Sequence, residues 1–95
     1  MNILFEHQTE TLERVERKVK TVPLNDLIIY NDDFNTFQHV IISLCEICEH
    51  EPIQAEQCAH IIHNKGKCGV KRGTAQDLKP MCEALLNRGL SAKIE

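Results

Sequence analysis

The sequence predicts a small α+β domain: a three-stranded sheet with three helices on one face, in the order β-α-α-β-α-β. Three observations carry that prediction. Short strand-like segments occur at Leu24–Tyr30, Cys68–Val70 and Leu90–Ile94. Three intervening stretches repeat apolar residues at helical spacing. Glycine, proline or a polar cluster marks nearly every junction between them. Elements of these lengths bury their apolar sides most economically as two layers. The chain has 95 residues, enough for one domain with a modest core.

Residues 1–22 show only a weak helical spacing at Leu12, Val15 and Val19, without a cap, and are read as a flexible N-terminal extension. The domain is expected over residues 23–95, opening at Pro23. Leu24–Tyr30 is rich in Leu and Ile and runs into Asn31-Asp32-Asp33, so it reads as a strand closed by a turn. Phe37, Val40, Ile41, Leu44, Cys45 and Cys48 then recur at i, i+3, i+4, i+7, i+8 and i+11, one stripe of a helix that Thr36 can cap. Pro52 suits the first turn of a second helix, since its missing N–H would have no partner there. That helix is expected to turn Ala55, Cys58, Ala59, Ile61 and Ile62 inward and to stop at Gly66. After the strand at Cys68–Val70, Thr74 with Asp77 resembles a capping box. It opens a third helix with the stripe Ala75, Leu78, Cys82, Leu85 and Leu86, stopped by Gly89 ahead of the last strand.

Composition narrows the function. The net charge is −3, and the basic residues Arg14, Arg17, Lys18 and Lys20 are interleaved with acids. With no tryptophan and 4% aromatic residues, the chain lacks the basic stripe and stacking platform that nucleic-acid binding needs. No apolar run approaches the ~18 residues of a membrane span, and the first residues lack the charged start of a signal peptide. A cytoplasmic protein is expected. Five cysteines then read as reduced thiols rather than a disulfide framework.

Three groups of residues could carry chemistry. Cys45-Glu46-Ile47-Cys48, followed by His50, Cys58, His60 and His63, has spacings seen in zinc sites, so a small zinc-binding domain is one alternative. Cys45 and Cys48, however, fall on the apolar stripe of a helix, where cysteine acts as a small buried hydrophobe, and no metal or other cofactor is expected. Neither Ser43 nor Ser91 sits in a nucleophile elbow, and the chain is not expected to be an enzyme. The third group is Asn31-Asp32-Asp33, which by residue type alone is turn chemistry ahead of a helix.

The segment Tyr30-Asn31-Asp32-Asp33-Phe34 resembles the N-D-D-Y/F hallmark of the ClpS adaptors of Clp proteases. The resemblance continues through Val40, His63-x-x-Gly66-Lys67 and Cys68-Gly69-Val70. It covers about Leu24 to Glu95 and implies the fold already predicted, similar to the ribosomal stalk protein's C-terminal domain. It also implies the function: capture of the free N-terminal residue of substrate proteins, bulky apolar or aromatic, and delivery to a Clp AAA+ unfoldase of ClpA or ClpC type. By the match, Asn31, Asp33 and His63 would contact the α-amine, with Asp32 supporting the loop or the next backbone unit. Ile29, Asn35, Phe37, Val40, Ala59, Ile62 and Leu90 would form the pocket for the side chain. A monomer is implied, with the segment 1–22 engaging the unfoldase. Phe37 and Ala59 replace methionines common in the family, and the stretch between Lys67 and Cys68 is two residues shorter. The alternative without N-terminal recognition is a generic interaction module of the same fold.

Overall fold

A computed structural model describes residues 21–95; the expected N-terminal extension lies, but for its last two residues, outside the described residues. The elements are β1 (Asn25–Tyr30), α1 (Phe37–Ile47), α2 (Pro52–Lys65), β2 (Lys67–Gly73), α3 (Ala75–Asn87) and β3 (Ser91–Ile94). The sheet has the order β2-β1-β3, antiparallel throughout. This is the predicted architecture.

The most apolar strand takes the centre, where both edges are paired. Leu27 and Ile29 point to the helices and are fully buried, while Ile28 between them faces the other way. Val70 joins them from β2, and α2 lies over this strand. Helix α3 covers β1 and β3, and α1 packs mainly on α2 and also touches α3. Leu44, Ala55, Leu78 and Leu85 close the core between the layers.

The expected caps form. Thr36 and Thr74 accept from the backbone N–H of His39 and Asp77, each at 3.1 Å. Pro52 is the first residue of α2, and Gly66 ends that helix with φ 93°, in the left-handed region that glycine adopts without steric cost.

The structure also departs from the expectations. Ile61 and Leu86 are 44% and 49% exposed, and Ala75 is exposed, because an apolar stripe is narrow. Successive helical residues lie about 100° apart, so the neighbours of Ile62 and Leu85 fall off the inner face. Cys58 is only half-buried for the same reason. Strand β1 starts at Asn25 and leaves Leu24 exposed. Strand β2 extends well past Cys68–Val70, since all of β1 offers it partners; it absorbs one extra residue, Val70, as a bulge opposite Leu27 and Ile28. Helix α3 continues through Pro80, whose missing N–H leaves the Gln76 carbonyl without its helical hydrogen bond.

Candidate functional site

The loop between β1 and α1 is built by one carboxylate. Asp32 Oδ1 accepts from the backbone N–H groups of Phe34 and Asn35 at 2.9 and 2.8 Å, a turn that aspartate forms with its own downstream backbone. Asp32 Oδ2 accepts from the Asn35 side chain at 2.7 Å and from the Ser91 hydroxyl at 3.3 Å. Burial pushes this carboxyl up. The hydrogen bonds from Asn35, Phe34 and Ser91 outweigh that effect and hold it below its ordinary value.

The same loop is tied to two others. The Asn31 N–H donates to the Gly66 carbonyl at 2.8 Å, which joins it to the end of α2. The Asn35 side chain also donates to the Gly89 carbonyl at 2.9 Å, which joins it to the turn before β3. Both glycines have positive φ, so each turn presents its carbonyl where a β-carbon-bearing residue would be strained.

Two adjoining clefts open where these loops meet. In the larger, of about 290 Å³, Asn31, Asn35 and His63 supply polar groups, while Phe37, Val40, Ala59 and Ile62 form apolar walls. Val40, Ala59 and Ile62 are nearly buried and form the depth of the cleft; Phe37 is 38% exposed and stands at its mouth. The smaller cleft, of about 190 Å³, shares Asn31, Asn35, Val40 and Ile62 and adds Tyr30, Asp32 and Leu90.

Nine of the eleven residues singled out in the sequence therefore line one cleft or the other. Two do not. Ile29 is 1% exposed and belongs to the core under the helices, because its place on β1 turns it inward. Asp33 is exposed and lies outside both linings, because Asp32, one residue earlier, has taken the loop-forming role. Sequence reasoning missed Tyr30 as a lining residue, although it is the last strand position before the polar cluster. It also missed Ser91 and Gly89 as supports, which sit nearly sixty residues away.

The cysteine and histidine cluster resolves into separate environments. Cys48 is buried, and burial raises its thiol to about 11 despite the opposing charge of Lys71. Burial, reinforced by neighbouring Cys68, raises Cys58 to about 11 as well. His50 is buried and its Nε2 donates to the Val70 carbonyl at 2.6 Å, with Nδ1 3.9 Å from Cys58 Sγ. His60 and His63 lie on the exposed side of α2. No group of three or more His, Cys, Asp or Glu placed to hold a metal ion occurs among the described residues, and none of their helices is long and apolar enough to cross a membrane.

Comparison with known proteins is consistent with this geometry. The sequence model of a family described as ATP-dependent Clp protease adaptor protein ClpS matches residues 20–93. No curated protein is similar in sequence. Among solved structures, ClpS2 of Agrobacterium tumefaciens, bound to L-phenylalaninamide, has a similar fold with a TM-score of 0.73. That likeness covers 79% of this chain and 98% of the other at 17% identity.

Proposed function

This chain belongs to the ClpS family of ATP-dependent Clp protease adaptor proteins, and we propose that its clefts bind the free N-terminal residue of substrate proteins for delivery to a Clp AAA+ unfoldase of ClpA or ClpC type. The observation that carries this reading is the larger cleft itself, where the polar Asn31, Asn35 and His63 converge on a space otherwise walled by apolar side chains.

An α-ammonium group has three donors and no acceptor. The Asn31 amide oxygen and a neutral His63 nitrogen supply acceptors, and the Asp32 carboxylate, already engaged by the loop, adds negative charge beside them. Charge-assisted hydrogen bonds contribute about 1.5–3 kcal/mol each, and burying one large apolar side chain against Val40, Ala59 and Ile62 adds about as much. Two such bonds and the side chain sum to about 4.5–9 kcal/mol before ordering costs, so a weak complex, no tighter than micromolar, is expected. L-Phenylalaninamide, the ligand of the structurally similar ClpS2, is such a ligand: a free α-amine carrying an aromatic side chain.

The deciding experiment titrates the protein with a peptide beginning with Phe or Leu and with its N-acetylated twin. Acetylation removes the charge and two of the donors, so the twin is expected to bind at least roughly tenfold more weakly. Equal affinities would overturn the reading. Asn31→Ala and His63→Ala are each expected to weaken the free peptide by about tenfold or more. Asp33→Ala, outside the lining, is expected to change it by less than about threefold.

A further inference from the structure

The wall at the cleft mouth is itself supported from outside. Phe37 is the first residue of α1, so no earlier helical turn packs against its side chain. Its ring meets the His60 ring edge-on, with centroids 4.6 Å apart and an interplanar angle of 74°, the arrangement in which the positive edge of one ring meets the negative face of the other. His60 follows Ala59 in α2, and the ~100° step between them puts Ala59 in the cleft and His60 outside its lining. One turn earlier on α2, Glu56 Oε1 lies 3.8 Å from His60 Nε2.

We propose that His60 is a positioning residue for ligand selection: it holds the Phe37 ring across the cleft mouth, and the two rings together set which N-terminal side chains enter. This rests on the function proposed above. A partly exposed phenylalanine left to itself changes rotamer on the picosecond-to-nanosecond scale and makes a soft wall. The edge-on contact with His60, itself on the exposed side of α2, biases the ring toward one position by roughly three- to tenfold in population. Phe37 stands at the mouth beside Asn31 and Asn35, near where the α-amine would be held, whereas Ala59 and Ile62 lie deeper. The ring so placed therefore meets the ligand near Cβ, where branched side chains are widest and stiffest. The small Ala59 leaves depth for a long or aromatic side chain.

The test compares peptides beginning with Leu and with Val, each beside its acetylated twin, on the wild type, His60→Ala, His60→Phe, Phe37→Ala and the double variant Phe37→Ala/His60→Ala. His60→Ala is expected to narrow the Leu-to-Val affinity ratio by roughly three- to tenfold, the scale of an edge-on aromatic pair. His60→Phe keeps an aromatic partner and restores the ratio. In the Phe37→Ala background the His60 substitution has no further effect, because the pair acts as one unit. An unchanged ratio in His60→Ala, an equal change without Phe37, or no restoration by His60→Phe each overturns the role of His60. If the acetylated twins bind the wild type as well as the free peptides do, it is the proposed function that fails.

Discussion

Asn35 links two loops through a single amide, which donates to Asp32 Oδ2 and to the Gly89 carbonyl. Asn35→Ala removes one bond to a charged acceptor and one to a neutral one at a half-exposed position. It is expected to cost about 1–2 kcal/mol in urea unfolding and to weaken peptide binding along with it. Asp32 adds a pH signature. Its folded value is depressed, so its contribution to stability is complete above the ordinary value of 3.8 and is lost as pH falls through the folded value. Between roughly pH 5 and pH 2 the wild type should therefore lose stability more steeply than Asp32→Asn; parallel acid profiles would count against the loop role. Ser43 predicts the opposite sign. Its hydroxyl is fully buried without a hydrogen-bond partner among the described residues. Ser43→Ala removes that unmet group in a good helix position and should stabilise the fold by about 1 kcal/mol.

Among the elements, those with local chemical signals were legible and those set by distant partners were not. Thr36, Pro52, Gly66 and Thr74 each announce a helix end through their own backbone or side-chain chemistry, and each is found in that role. The turn between α1 and α2 carries no such signal, because Glu49 rather than glycine adopts the positive φ there. The length of β2 and its bulge at Val70 follow from pairing with β1, which no local pattern of Lys67–Gly73 contains. In the site, the resemblance of Tyr30–Phe34 and His63–Val70 to the ClpS pattern pointed to most of the lining, where residue type alone read as turn and core. The bonds from Asn35 to Gly89 and from Ser91 to Asp32 required the fold to bring distant turns together. Gly66 joins the two scales, since it ends α2 and its carbonyl accepts from Asn31. A β-carbon at Gly66 meets nothing within 4 Å, so the cost of Gly66→Ala is purely that of a left-handed backbone, about 1–2 kcal/mol by thermal or urea unfolding. Peptide affinity should fall too, because Asn31 is anchored there.

At the scale of the whole molecule, the histidines divide between holding the fold and reading the ligand. Of the five histidines in the chain, His39 and His50 donate from Nε2 to the carbonyls of Arg88 and Val70 and so join separate elements. His63 has a different task. It is exposed on α2, and in the proposed complex it accepts from a cation. His63→Gln keeps an uncharged acceptor, so it should retain more of the affinity for a Leu- or Phe-starting peptide than His63→Ala does. His63→Lys offers only donors and a fixed positive charge facing the α-ammonium group, and it should weaken that peptide by at least roughly tenfold relative to His63→Gln. Because the position is exposed, both variants should match the wild type in urea unfolding to within about 0.5 kcal/mol. If His63→Lys binds as tightly as His63→Gln, the acceptor role of His63 is wrong even if the cleft still takes the peptide.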